Sequence, residues 1–203
     1  MNKSTLVTRM FSGAVEFGNS YFTISSLFYK NDKKVFAKVE VMLVLLIILC
    51  VLALFNIGKL SFVGGLSVCI LFSQRVLEYM IVYSRNFILH RGRVFTDFPD
   101  KKSRGEWLLI MFLLNLLQVV LVFALWYQFL SLQIPGSFSQ HIGILDGFYL
   151  SVVTFFTLGF GDIVPVYAVP KLIVAFESFL SFYTFLIVIN GLIGLHFARA
   201  QEH

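Results

Sequence analysis

The stretch Thr154-Phe155-Phe156-Thr157-Leu158-Gly159-Phe160-Gly161-Asp162 decides the fold of this chain. Its second half has a hydroxyl residue, two glycines that alternate with bulky apolar residues, and a closing carboxylate. In an ordinary strand successive carbonyl groups alternate sides, so pointing them all one way requires some residues to adopt positive φ. Glycine does so at almost no steric cost. The spacing therefore predicts a row of aligned backbone carbonyls, with the Thr157 hydroxyl below it, that can replace the water around a monovalent cation.

The composition indicates an integral membrane protein. Of the 203 residues, 58% are apolar and 13% are charged, and the mean hydropathy is +0.85. Soluble domains have about 45–50% apolar and about 25% charged residues. The 24 phenylalanines would also be hard to bury in a soluble protein of this size. The net charge of +5 is spread over the loops between apolar segments, which favours a role in membrane topology over nucleic-acid binding.

Four apolar segments are long enough to cross a membrane as helices, since a span needs about 20 residues. They are residues 36–57, 60–83, 106–130 and 171–197. Trp107, Trp126 and Tyr127 stand at the ends of the third segment, as in an aromatic belt. A fifth apolar segment, residues 145–156, is too short to cross and suits a re-entrant helix that leads directly into the opening stretch.

The basic residues predict the orientation. Of the sixteen lysines and arginines, thirteen fall in residues 1–38, in the linker 84–105 or at Arg199. In a four-span arrangement all three regions share one side, which the positive-inside rule assigns to the cytoplasm. We therefore expect both termini in the cytoplasm and a re-entrant loop that enters from outside. Residues 1–30 lack the long apolar core of a cleavable signal peptide.

With the motif placed, residues 106–198 resemble the two-helix pore module of the potassium-channel family. Thr154, Thr157 and the run from Gly159 to Asp162 match the family signature Thr-x-x-Thr-x-Gly-[Tyr/Phe]-Gly-Asp, and Pro165 follows at the usual distance. The resemblance implies an all-α membrane protein with an outer helix, a re-entrant pore helix, a selectivity filter and an inner helix. It divides the chain into an N-terminal segment (1–35), a transmembrane hairpin (36–83), a basic linker (84–105) and a pore domain (106–203).

The resemblance also implies roles for individual residues. Potassium ions would bind the backbone of residues 157–161, hereafter the filter, with Asp162 at the outer mouth. Because the chain has one such loop, a closed filter implies a homotetramer. In the inner helix, Ser181 takes the position of the family's hinge glycine, and Gly191 is a second hinge candidate. Five further positions of this helix correspond to residues that line the inner pore or gate in the family, although helix packing would explain them equally well. They are Phe182, Phe185, Ile189, Asn190 and Ile193.

Three departures from the family pattern lie near the filter. Leu158 replaces a β-branched residue, and Phe160 lacks the hydroxyl of the commoner tyrosine. Leu150 stands where many members carry a tryptophan that hydrogen-bonds the filter aspartate. These changes predict a less firmly braced filter.

Glu177 is a carboxylate within the last span, so we expect it to be paired, protonated or water-exposed. A structural contact behind the filter is favoured over ion binding.

The leading interpretation is a potassium-selective channel that conducts passively across the plasma or inner membrane. The alternatives are a weakly selective monovalent-cation channel and a non-conducting, channel-like membrane subunit. The four histidines are scattered without metal spacing, so an enzyme is not expected, and no cofactor is expected beyond potassium in the filter.

The second span contains two charged residues of opposite sign, Arg75 and Glu78. They are three residues apart on one face of the helix and can neutralise each other.

Overall fold

The computed structural model describes residues 35–83 and 101–200, with side chains described for residues 41–81 and 109–187. The regular secondary structure in these ranges is helical, apart from one isolated antiparallel bridge between Phe138 and Pro165, and residues 134–143 and 156–167 form loops. A short 3-10 turn, Ile57–Lys59, joins the first two helices. The helices are α1 (Val35–Asn56), α2 (Phe62–Tyr83), α3 (Lys101–Gln133), α4 (Ile144–Phe155) and α5 (Ala168–Ala200). The predicted outer, pore and inner helices correspond to α3, α4 and α5.

Three of these helices are long and apolar enough to cross a membrane, in the segments Val41–Lys59, Leu109–Gln133 and Ala168–Ile187. The α2 helix has 22 residues, but Gln74, Arg75 and Glu78 make it more polar, and it is not among the spanning candidates within the described residues. The four-span arrangement therefore stays a prediction. The 12 residues of α4 cover about 18 Å at 1.5 Å per residue, well short of a hydrocarbon core about 30 Å thick.

The outer helix α3 is the centre of the fold, because it contacts each of the other four helices. Every residue from Val119 to Leu125 is buried, although a helix distributes seven successive residues around its whole circumference. A helix that is apolar all round is buried all round. The aromatic-belt prediction is wrong for Tyr127, which is fully buried, and Trp126 is half-buried with its Nε1 donating to Ser73 Oγ of α2 at 2.7 Å.

Two glycines allow the helices around α3 to approach it closely. A Cβ added to Gly147 of α4 would lie 2.9 Å from the backbone oxygen of Ala124. A Cβ added to Gly65 of α2 would lie 2.7 Å from the ring of Phe129. Both distances are shorter than any ordinary carbon contact, so the absence of a side chain sets the spacing of α4 and α2 from α3.

Polar contacts join α2 to the inner helix α5. The Tyr79 hydroxyl donates to Thr184 Oγ1 at 3.3 Å, and the Tyr183 hydroxyl donates to the Met80 carbonyl at 3.1 Å. Arg75 and Glu78 form the ion pair expected from their spacing, and both are buried. Buried charge is tolerated only when it is paired, so the pair explains how α2 carries two charged residues at a packed surface.

Helix boundaries differ slightly from the sequence-based ranges. The α3 helix begins at Lys101, five residues before the predicted start, so the end of the basic linker is helical. The α5 helix begins at Ala168, which puts Pro170 inside its first turn. Proline is tolerated there because the first N–H groups of a helix have no intrahelical partner. The rest of the linker and the N-terminal segment 1–34 lie outside the described residues.

Candidate filter and its supports

The filter follows the pore helix without a break. After α4 ends at Phe155, the N–H of Thr157 donates to the Thr154 carbonyl at 3.0 Å and the N–H of Leu158 donates to the Val153 carbonyl at 2.9 Å. Together with the left-handed Thr157, these two bonds form a Schellman cap, which ends α4 and holds the start of the filter against its carboxyl end. That end carries a partial negative charge, which favours a cation beyond it.

Positive φ recurs at every second residue of the filter, with values of 55° at Thr157, 60° at Gly159 and 75° at Gly161. The two glycines were expected to adopt this conformation. Thr157 was not, and it is the one non-glycine residue with positive φ in the described parts of the chain. Such a conformation costs a non-glycine residue about 1–3 kcal/mol, and it persists only where the surroundings impose it. Alternating left-handed residues are what turns successive carbonyls toward the same side.

The filter carbonyls are free to bind a ligand. Among the described residues, no hydrogen-bond donor reaches the carbonyl oxygens of Thr157, Leu158, Gly159 or Phe160. Most backbone carbonyls in proteins are paired, so four successive unpaired oxygens are unusual. The side chains of Leu158 and Phe160 are 56% and 66% exposed in the single chain. An apolar surface of this kind is normally covered by another chain or by lipid.

The filter aspartate has a brace that the sequence reading missed. The Tyr149 hydroxyl donates to Asp162 Oδ2 at 2.7 Å, while Leu150, where many family members carry tryptophan, is buried. The donor comes from the residue that precedes Leu150 in α4, so the filter aspartate is hydrogen-bonded although the tryptophan is missing. This hydrogen bond lowers the pKa of the Asp162 carboxyl and raises the pKa of the Tyr149 phenol.

The carboxyl-terminal end of the filter is also hydrogen-bonded to the loop that precedes α4. Ser139 N–H donates to the Val164 carbonyl at 2.9 Å, and Val166 N–H donates to the Ser137 carbonyl at 2.8 Å. The Ser139 hydroxyl accepts from the Val164 N–H at 3.1 Å and donates to the Asp162 carbonyl at 3.4 Å. These bonds form the short antiparallel pairing around Phe138 and fix the chain just after the filter.

Glu177 lies fully buried between three helices. The Ser151 hydroxyl of α4 donates to its Oε1, and the Tyr127 hydroxyl of α3 donates to its Oε2. Each oxygen of the Glu177 carboxyl group thus accepts a hydrogen bond, and the group lies between α3, α4 and α5. The aromatic partner Tyr127 had been assigned to the membrane interface, so the sequence alone did not reveal it.

The inner-helix candidates divide into two groups. Ser181 is buried, and its hydroxyl donates to the Phe155 carbonyl at the end of α4. Phe182 and Phe185 are 61% and 42% exposed, and the Phe185 ring lies 6.5 Å from that of Phe155. The backbone of the other four candidates belongs to α5, but their side chains lie outside the described residues. These candidates are Ile189, Asn190, Gly191 and Ile193. Among the described residues, no cluster of His, Cys, Asp and Glu could hold a metal ion.

Residues 115–196 match a family model described as an ion channel. Over 72 residues the chain is 36% identical to Two-pore potassium channel 4 of Arabidopsis thaliana. Residues 115–196 are thus similar in sequence to ion-channel segments, including part of a potassium channel. The matched range falls within the predicted pore module. The alignment covers 35% of this chain and 25% of that relative, so the chain spans about a quarter of the length of the curated protein. No solved structure matched.

Proposed function

We propose that this protein is a potassium-selective channel that conducts K⁺ passively through a homotetrameric pore. The observation that carries the proposal is the filter backbone, in which left-handed residues alternate at 157, 159 and 161 and four successive carbonyl oxygens accept no hydrogen bond within the described chain. Carbonyl oxygens can replace the hydration shell of K⁺. The match of residues 115–196 to an ion-channel family model supports transport over catalysis.

Four copies are needed because one loop can supply oxygens on only one side of an ion. A closed ring of identical subunits is the ordinary way to surround an axis. The exposed side chains of Leu158 and Phe160 support this arrangement, as do exposed residues of α5 such as Phe179 and Phe182. In a tetramer these apolar side chains would pack on neighbouring subunits or line the pore.

A fourth membrane span at α2 is part of the proposal. With α1, α3 and α5 alone, the two ends of the chain would lie on opposite sides of the membrane. If α2 also crosses, residues 1–38, the linker 84–105 and Arg199 share one face, and thirteen of the sixteen basic residues lie on it. The buried pairing of Arg75 with Glu78 lowers the cost of placing charge in this helix. We assign that face to the cytoplasmic side of the cell membrane.

Ion flux through purified protein in liposomes tests the proposal. We expect potassium flux from the wild type and little from Gly159→Ala. A Cβ at Gly159 meets nothing within 4 Å, so the substitution acts through the backbone, where a left-handed alanine costs about 1–2 kcal/mol in each subunit. The control is Gly58→Ala, whose added Cβ would lie 3.7 Å from its nearest neighbour, an ordinary contact. Equal flux from all three proteins would overturn the filter assignment.

A weakly selective cation channel is the second candidate. Phe160 favours it, because a phenylalanine cannot form the hydrogen bond of the commoner tyrosine. The Tyr149–Asp162 hydrogen bond favours the selective channel instead. Reversal potentials with potassium on one side and sodium on the other distinguish the two candidates. A non-conducting subunit would show no flux in any variant.

A further inference from the structure

The inner helix α5 is attached to the pore helix α4 at two levels. Glu177 and Ser181 are four residues apart, as are their partners Ser151 and Phe155 on α4. Residues four apart lie on one face of a helix, one turn above each other. The two contacts therefore lie along one line between the helices, and we call them the upper and lower contacts.

The upper contact binds three helices at one carboxylate. Glu177 has no exposed surface, and each of its two oxygens accepts a hydroxyl, one from Ser151 and one from Tyr127 of α3. A buried carboxylate is costly unless it is hydrogen-bonded. Glu177 therefore opposes any separation of α3, α4 and α5 at this level.

The lower contact lies at the foot of the filter. The Phe155 carbonyl, which accepts the Ser181 hydroxyl, belongs to the last turn of α4, where carbonyls lack intrahelical partners. Phe155 is two residues before Thr157, the first filter residue. If α5 moves at Ser181, the hydrogen bond to the Phe155 carbonyl therefore moves the end of α4, and the filter backbone begins two residues further along the chain.

We propose that Glu177 and Ser181 are positioning residues through which α5 sets the filter geometry and, with it, the discrimination of potassium from sodium. This inference rests on the proposed channel function. Whether a filter selects by cavity size or by the number and field strength of its carbonyls, the result depends on where the carbonyl oxygens lie. Fixing the end of α4 to α5 limits how far those oxygens can shift toward a smaller ion.

The serines of α5 provide a matched test. Ser181→Ala removes the lower contact. Ser178→Ala removes a hydroxyl of the same helix that donates at 3.0 Å to the Val174 carbonyl of α5 itself, so it leaves α4 untouched. With potassium and sodium on opposite sides of a bilayer, we expect Ser181→Ala to raise the sodium-to-potassium permeability ratio at least about fivefold, because one net hydrogen bond is equivalent to about fivefold and every subunit loses one. Ser178→Ala should keep the wild-type ratio, and Ser181→Thr, which restores a hydroxyl, should restore it.

Glu177→Gln and Tyr127→Phe test the upper contact. The permeability ratio is measured only on variant protein that forms an oligomer of the same size as the wild type. Both should raise the same permeability ratio. If the contacts serve only to hold the subunit together, these variants and Ser181→Ala will lower the yield or thermal stability and keep the wild-type ratio, and the inference is then wrong. A wild-type protein that conducts no ions would overturn the proposed function as well. Loss of selectivity in Ser178→Ala to the same degree as in Ser181→Ala would also contradict the inference.

Discussion

Replacing Gly147 by alanine should displace the pore helix. The added Cβ would lie 2.9 Å from the backbone oxygen of Ala124, where an ordinary carbon–oxygen contact needs about 3.4 Å, so α4 and α3 must separate by about 0.5 Å. A backbone atom cannot rotate away as a side chain can. Overpacking of this kind costs about 1–3 kcal/mol. In a chain of this length each kcal/mol lowers the unfolding temperature by about 2–4 °C, so the expected drop is about 2–12 °C.

The assay is thermal unfolding of detergent-purified protein, followed by tryptophan fluorescence, together with liposome flux. Gly58→Ala is the control, since its nearest neighbour, Leu132 Cδ1, would lie 3.7 Å from the added Cβ. We expect Gly147→Ala to unfold at a lower temperature and to conduct less, because α4 carries the filter. If Gly147→Ala unfolds within about 1 °C of the wild type, the close approach of the two helices is wrong.

Three further predictions concern the brace and the hairpin. Tyr149→Phe removes the 2.7 Å hydrogen bond to Asp162, so currents should decline faster during sustained recording than in the wild type, and unchanged kinetics would exclude a bracing role. The same hydrogen bond lowers the pKa of the Asp162 carboxyl, because it stabilises the ionised form. The bond is therefore fully formed above the ordinary aspartate pKa of about 3.9, and it is lost as the pH falls through the lowered pKa of Asp162. Wild-type flux measured against external pH should therefore hold steady down to about pH 4 and fall in stronger acid, where a flat profile would contradict the assignment. Gly65→Ala, whose Cβ would lie 2.7 Å from the Phe129 ring, should lower the unfolding temperature less than Gly147→Ala, because a ring can rotate, and a larger drop would reverse that ranking.

Features set by neighbouring residues were predictable from the sequence. The short apolar segment before the filter forms α4 within one residue of the predicted range, because its length and composition permit a helix but not a span. The left-handed conformations of Gly159 and Gly161 follow from the absence of a side chain. The left-handed Thr157 was missed, since the conformation of a threonine is decided by the structure that surrounds it.

Contacts between distant parts of the chain were not predictable in the same way. Tyr127 and Glu177 are 50 residues apart, and their hydrogen bond depends on how α3 and α5 are rotated. A tyrosine near the end of an apolar segment fits an aromatic belt as well as a buried network. The brace on Asp162 shows the same difficulty on a smaller scale, because the helix presents Tyr149 rather than residue 150 to the carboxylate.

Locating ions in the filter tests the central claim most directly. Rubidium has the charge of potassium and nearly its size, and it scatters X-rays anomalously, so a crystal grown in rubidium salt reveals where such ions bind. We expect anomalous peaks on a four-fold axis, surrounded by the carbonyl oxygens of Thr157, Leu158, Gly159 and Phe160 from four subunits. Assembled protein whose filter carbonyls bind no rubidium, or point away from the axis, would contradict that claim.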